Sequence, residues 1–339
     1  MRKHYTTISV VCLGLAMTYG ACAQEVTNEM GTGLIPLSDE EYDALEERDP
    51  LLRGALPEFV DLSSFFPDPG HQGAQGSCVG WAVGYALKTY QEAKETRAVR
   101  PAEDRHFSPS FVFNSIKVGD DCNAGSRITD ALEFIQTTGA VSMYDFPYVE
   151  EECPAPPEDL LERGEDYQIK SFNRLERGDL FAIQEALSNE KPVVAGMYVY
   201  PSFQTWDGDG IYEHSPDTER RKDYHAGTIG GDDDEREAIR LINSWGTGWG
   251  DEGYAWVSYA AAEKMIREAY VTTDNNLFGD FNSIDPDQVY AVLSGESSDS
   301  MAGSSSPEPS QTPVTEYMLE TEVTGHVGRD SEGRTPSGY

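Results

Sequence analysis

The chain has 339 residues, 38% of them apolar, enough to bury one large core or two smaller ones. It carries 60 Asp and Glu against 25 Lys and Arg, a formal net charge of −35, and such a field repels nucleic acid and anionic membranes, whose dominant binding term needs basic surface. Eight of the 25 basic residues are Lys, and a Lys-poor, carboxylate-crowded surface predicts a protein folded in concentrated salt, where self-repulsion is screened.

Arg2 and Lys3 precede an apolar stretch over residues 8–17, and Ala21-Cys22-Ala23 then supplies the small residues a signal peptidase needs, so residues 1–23 read as a cleaved secretory leader. The stretch is too short to span a bilayer, and export without a membrane anchor, to the periplasm or the extracellular medium, is expected. Lipidation of Cys22 competes with this reading, but Tyr19 stands where a lipoprotein signal wants an aliphatic residue. Residues 24–55 form a short acidic segment containing Ser38-Asp39-Glu40-Glu41-Tyr42, too short for a domain and a candidate propeptide. Residues 56–275 carry the periodic apolar pattern of a folded domain. Residues 276–293 extend it, and residues 294–339 turn to Ser, Gly, Pro, Thr and Glu, the composition of a disordered tail.

Inside the domain, helical spacing dominates the first half. Val79, Val83, Ala86, Leu87 and Tyr90 recur behind Cys78, with Gly80 and Gly84 placed to let a neighbouring backbone approach. Ser108-Pro109 opens a second helix by capping chemistry, and Ile128, Ala131, Leu132 and Ile135 stripe a third that ends near Gly139. The second half reads as strands over residues 192–200, 225–230, 238–243 and 253–258, with Asp232-Asp233-Asp234 turning one hairpin. The predicted class is α+β in two lobes, one helical and one of antiparallel β-structure, with a cleft between them.

Beyond the leader only Cys78, Cys122 and Cys153 remain. An odd count in an oxidising compartment predicts one disulfide and one free thiol. Cys122 and Cys153 sit in polar, acidic segments and are paired with each other. Cys78 follows Gln72-Gly73-Ala74-Gln75-Gly76-Ser77 at a helix start, where the positive end of the helix dipole and unpaired amides favour thiolate. One later hairpin carries Tyr224-His225-Ala226-Gly227 and Asn243-Ser244-Trp245-Gly246. A nucleophilic thiol needs an imidazole to take its proton and return it to the leaving group, and an amide oxygen on the far ring nitrogen fixes the tautomer. Cys78, His225 and Asn243 fit these roles, and Trp245 is positioned to shield the His225–Asn243 bond from water. Asp207-Gly208-Asp209-Gly210 lacks the further ligands of a calcium loop and reads as a turn. His71 reads as a cleft-rim residue, and no His or Cys set has metal spacing, so no cofactor is expected.

These segments resemble the papain-like cysteine peptidases of the exported bacterial kind, over roughly residues 56–258 and in the family's order. Leu56-Pro57-Glu58-Phe59-Val60-Asp61, the segment from Gln72 to Cys78, Cys122-Asn123-Ala124-Gly125, Phe146-Pro147-Tyr148 and Asn243-Ser244-Trp245-Gly246-Thr247-Gly248-Trp249-Gly250 carry the resemblance. It implies a monomer that cleaves peptide or protein substrates through an acyl-thioenzyme. In it, the Gln72 amide and the Cys78 backbone N–H form an oxyanion hole, and Gly125 pairs with substrate backbone. Val79 departs from the family's Trp, Tyr224 from its usual residue before the His, and Gln75 from a disulfide cysteine. Cys122 and Cys153 match family cysteines whose usual partners are absent, which again pairs them together. The segment before the domain is far shorter than the family's helical propeptide, so any latency must be held by a simpler device. Two other outcomes for the same fold are a peptide-binding or adhesion module without useful turnover and an acyl transferase using the same three residues.

Overall fold

The computed structural model describes residues 30–49, 55–214, 220 and 223–275. The predicted leader, the extension over 276–293 and the tail over 294–339 lie outside these residues. Strand β3 (Val193–Val199) is apolar at nearly every position and buried throughout except at half-buried Tyr198, the pattern of a strand covered on both faces. It pairs antiparallel with β4 (Asp223–Asp233) on one side and with β7 (Ile266–Asp274) on the other. β2 (Ile169–Arg174) adds beyond β7, while β5 (Ala238–Ile242) and β6 (Tyr254–Ser258) follow β4, giving the order β2-β7-β3-β4-β5-β6. A short β1 (Phe59–Asp61) also pairs with β4, at Asp233, Asp232 and Gly231.

Of the two acids predicted to turn the β4–β5 hairpin with Asp234, Asp232 and Asp233 lie inside β4 instead. Pairing with β1 on one side and β5 on the other extends the strand through them, and the turn itself falls at residues 234–237. β2 and β7 escaped the periodicity reading because charged and hydroxyl residues interrupt both sequences.

The helical side is organised by one long element that starts at Cys78 and runs as an α-turn (Cys78–Gly80), a wider π-helical stretch (Trp81–Lys88) and a closing α-segment (Thr89–Glu95). Helix Pro109–Ile116 begins where predicted, with the Ser108 hydroxyl accepting the Phe111 N–H at 3.0 Å and Pro109 in its first turn. A Cβ on Gly80 would sit 2.4 Å from the Pro109 carbonyl, so the close approach of these two helices requires glycine there. Helix Ile128–Thr137 buries Ile128, Ala131, Leu132 and Ile135, the stripe read from the sequence.

A single apolar cluster joins this side to the sheet, containing Val79, Val83, Leu87, Ile128, Leu132, Val194, Ala226 and Tyr270. Thr228 on β4 adds a hydrogen bond from its hydroxyl to the Ala82 carbonyl at 2.9 Å. The start of the long helix is thereby fixed against β4, which carries His225. Cys78 and two residues from before the domain, Leu34 and Tyr42, belong to the same cluster. Among the described residues, no helix is long and apolar enough to cross a membrane.

Candidate active site

Three elements converge on Cys78: its own helix start, β4 and the loop that follows β5. The thiol is fully buried and is the one free cysteine among the described residues. Cys122 and Cys153 form a disulfide with Cα atoms 5.6 Å apart. That disulfide fixes a loop whose Cys122 carbonyl accepts the Gly76 N–H at 3.0 Å, two residues before Cys78. Gln75, which departs from the disulfide cysteine of the family pattern, holds the same neighbourhood by donating its side-chain amide to the Glu150 carbonyl at 2.9 Å.

His225 is also fully buried, and its Nε2 lies 2.7 Å from Asn243 Oδ1. Asn243 Oδ1 accepts the Ser244 N–H at 2.8 Å as well, which fixes it as an acceptor. The imidazole must therefore donate from Nε2, leaving Nδ1 as the lone-pair nitrogen. Nδ1 is buried and has no hydrogen-bond partner among the described residues. The neighbouring Ala226 N–H points at the Cys78 sulfur. Trp245 packs its ring 4.5 Å from the His225 ring, tilted by 31°.

Gln72 is buried and immobilised from both ends. Its Oε1 accepts the Ser244 hydroxyl at 2.6 Å, and its Nε2 donates to the Gln75 carbonyl at 2.7 Å with the Thr32 carbonyl 3.3 Å away. Ser244 thus orients both Gln72 and Asn243, a role the sequence reading did not assign. Tyr148, from the Phe146-Pro147-Tyr148 motif, donates its hydroxyl to the Gln72 carbonyl at 2.7 Å. His71 lies at the exposed rim, accepting the Gly73 N–H on Nδ1 at 2.8 Å.

The cleft is occupied by the chain itself. The Gly31 N–H donates to the Gly73 carbonyl at 2.8 Å, and Trp245 Nε1 donates to the Gly31 carbonyl at 2.8 Å. Residues 33–35 then pair in parallel with Ser126, whose N–H reaches the Gly33 carbonyl and whose carbonyl accepts the Ile35 N–H, each at 2.9 Å. Gly125, expected to pair with substrate backbone, lies in the left-handed region at φ +71°, with no room for a Cβ beside the Gly33 carbonyl. Ser126, next to it, makes the backbone pairs. Gly33 itself has φ +124°, and a Cβ there would overlap the Gly76 carbonyl at 2.2 Å, so only glycine lets the segment lie flat on the loop before Cys78. Leu34 is 4% exposed, its N–H points at the Cys78 sulfur, and its side chain fills the space left by Gly196.

Burial under this segment reverses the electrostatics expected of the thiol. Desolvation pushes Cys78 up to about 12, against the backbone N–H groups of Ala226, Val79 and Leu34 that draw it down. Desolvation likewise depresses His225 to about 4, against the Asn243 hydrogen bond and the nearby Asp223. At neutral pH both groups are therefore uncharged. Away from the cleft, the carboxylates of Glu92, Glu95 and Asp274 lie close enough to hold a cation. The Lys88 ammonium sits 2.7 Å from Glu92 and 2.8 Å from Asp274 and supplies the positive charge there.

The chain matches the family model described as "Papain family cysteine protease" over residues 57–273. It is 32% identical over 155 residues to "Peptidase 1" of Dermatophagoides farinae, covering 43% of this chain and 45% of that protein. It is 28% identical over 189 residues to a "Cathepsin L-like peptidase" of Aedes aegypti, covering 54% and 52%. The chain thus aligns with about half the length of these curated relatives. Among solved structures, xylellain, a cysteine protease from Xylella fastidiosa, superposes with a TM-score of 0.63 at 22% identity, covering 73% of this chain and 97% of that one. The antiparallel sheet and the helices packed on it are the papain-like fold, and the chain belongs to the papain family of cysteine proteases.

Proposed function

We propose that the chain is an exported cysteine peptidase that hydrolyses peptide bonds through a Cys78 acyl-thioenzyme and is held latent by residues 30–37. The observation that carries the reading is the Nε2–Asn243 hydrogen bond, which leaves His225 Nδ1 as a buried lone-pair nitrogen without a hydrogen-bond partner among the described residues, next in sequence to the Ala226 N–H that points at the thiol. In the open site Nδ1 takes the thiol proton, the thiolate attacks the scissile carbonyl, and the imidazolium returns the proton to the leaving amine. Water, deprotonated by the same nitrogen, then attacks the thioester and releases the acid. The Cys78 backbone N–H and the Gln72 amide donate to the oxyanion, each donor contributing roughly 3 kcal/mol in hydrolases built this way. One Gln72 N–H is held by Gln75, and the other lies near the Thr32 carbonyl, a partner that leaves with the segment.

Intact mass spectrometry after treatment with an epoxide-bearing peptide tests the reading, beside a His225→Ala control. A single adduct on Cys78 that disappears in the control is expected. Folded protein that gains no adduct under any condition that opens the cleft would instead make the chain a peptide-binding module. An amine acceptor added to the same assay separates hydrolysis from acyl transfer by its products. The export reading and the high-salt reading are tested separately, by N-terminal sequencing of the secreted protein and by melting temperature against salt.

A further inference from the structure

In a chain with 60 acids and 25 bases, three arginines converge on one short stretch of the N-terminal segment. Helix Asp39–Asp43, capped by Ser38 and Glu41, sets Asp39 against both Arg177 and Arg267, and Asp43 3.3 Å from Arg177. Four residues beyond it, Glu47 pairs with Arg174 at 2.7 Å. Between these ion pairs Tyr42 enters the domain and is fully buried. Its hydroxyl accepts the Ala269 N–H at 3.0 Å and donates to the Leu175 carbonyl at 2.8 Å. Its ring meets Tyr270 edge-on at 5.6 Å, with the Arg177 guanidinium 4.6 Å from its centroid. The hydroxyl's two partners and the three arginines all come from the domain. The Leu37 N–H, bonded to Glu268 Oε1 at 2.5 Å, links the pocket to the cleft along the same strand of chain.

We infer that the Tyr42 pocket, with Arg174, Arg177 and Arg267, is a substrate-recognition exosite that selects proteins carrying a tyrosine flanked by acidic residues. The N-terminal segment is its built-in competitor. The inference rests on the reading that this segment vacates the domain when the peptidase becomes active. The pocket's chemistry is specific: paired backbone groups at its floor match a phenolic hydroxyl, and a phenylalanine there would leave the Ala269 N–H without its partner. With the segment in place the arginines are largely covered, at 10–27% side-chain exposure, whereas Asp39, Asp43 and Glu47 are 48–67% exposed. Departure of the segment therefore costs its carboxylates little. It leaves Arg177 and Arg267 without those partners, a local positive patch on an acidic protein, while Arg174 keeps Glu176. Such a patch draws acidic chains towards a cleft that the rest of the surface repels them from.

The test uses the full chain with Cys78→Ser to prevent turnover and Tyr42→Ala to vacate the pocket. A second version carries Asp39→Asn and Asp43→Asn instead, which loosens the segment without creating a cavity. The probe is a fluorescent peptide of the sequence Ser-Asp-Glu-Glu-Tyr-Asp-Ala-Leu-Glu-Glu, followed by anisotropy. Saturable binding is expected to both variants. It should weaken at least tenfold when the peptide's Tyr is replaced by Ala, when Arg177→Gln is added to the protein, or when salt is raised from about 0.1 to 1 M. In the Cys78-intact Tyr42→Ala chain, substrates bearing the acidic tyrosine motif should show a lower KM than scrambled ones at unchanged kcat. Binding that is indifferent to both the Tyr and Arg177 in folded protein overturns the exosite. Labelling of Cys78 without peptide binding sinks the exosite alone, whereas peptide binding without labelling sinks the peptidase reading and leaves the docking site standing.

Discussion

Replacing Leu34 by Ala should unmask Cys78 while leaving the domain folded. Leu34 is 4% exposed and shares its apolar cluster with Cys78, Val79, Ile128, Val194 and Ala226. Its Cδ2 occupies the position where a side chain on Gly196 would have to go, at 2.8 Å from an added Cβ. Truncating a buried Leu to Ala costs about 2–5 kcal/mol. Because the residue belongs to the segment and not to the domain's own elements, that cost falls on the closed arrangement of the cleft. At tenfold per 1.4 kcal/mol, the lower bound raises the open population roughly 30-fold. The assay is the pseudo-first-order rate of Cys78 modification by an epoxide peptide in the full-length chain, with Leu34→Met as a volume-conserving control expected to stay near wild type. Near-UV circular dichroism reports the fold alongside. An unchanged rate in folded protein would refute the argument, as would an increase matched by loss of the tertiary signal, since then the domain and not the segment has opened.

Acid should open the cleft through His225. The buried ring titrates near 4 and regains an ordinary value near 6.5 when water reaches it, so the open form binds more protons between those limits and gains as pH falls through them. At pH 5 the difference is worth up to about 2 kcal/mol, or about 20-fold in labelling rate relative to pH 7 after correction for the probe's own reactivity; a flat profile over this range would contradict it. The Arg267 and Arg177 guanidiniums hold Asp39 below its usual value, so further acidification below the ordinary Asp range weakens the closed form in the same direction. Gln72→Ala should lower kcat/KM by about 10²–10³ while Cys78 still labels, because the amide serves the oxyanion and not the thiol; equal losses in both would assign it a structural role. Removing the disulfide with Cys122→Ser and Cys153→Ser opens a loop of sequence separation 31, worth about 3–4 kcal/mol of unfolded-state entropy, and a Tm unaffected by the change would contradict that account.

The grouping of Cys78, His225 and Asn243, the proposed catalytic residues, was legible because each member depends on local chemistry. A helix start places Cys78, and a hairpin places His225 on β4 and Asn243 just past the end of β5, arrangements fixed by short-range pattern and turn position. The Cys122–Cys153 pairing followed from counting. Two other features were hidden for different physical reasons. β2 and β7 carry Lys170, Arg174, Arg267 and Glu268, whose charges break the strand period. These side chains are held by partners distant in sequence, such as Glu47 for Arg174 and Leu37 for Glu268, which no local window contains. The segment in the cleft was read only as a short acidic stretch and candidate propeptide, without its contacts, because composition averages over it. Its signals were positional: Gly31-Thr32-Gly33 followed by Leu34, then Ser38 three residues before Glu41. The first places backbone against backbone at Gly76, and the second is a capping box that starts the helix bearing Tyr42.

The expected thiolate and the uncharged pair of the closed site follow from one physical argument applied to two states. A helix terminus and nearby amides favour thiolate only when the remaining cost of charge is met by solvent or by an imidazolium. With Leu34 over the sulfur, desolvation is the larger effect on both groups, and it pushes their pKa values apart in the direction that keeps each uncharged. Access and activation are then the same event. The opening that admits a substrate also admits water, and only that lowers the thiol and raises the imidazole towards each other. The closed chain therefore guards its nucleophile twice, by covering the sulfur and by protonating it, and a small electrophile able to slip past Leu34 should still react slowly because it meets a thiol. Iodoacetamide, smaller than any peptide probe, distinguishes the two guards. If covering alone mattered, it would modify Cys78 far faster than the peptide epoxide does relative to an exposed thiol. A rate for iodoacetamide that stays well below that of an exposed thiol is the result that the neutral pair requires.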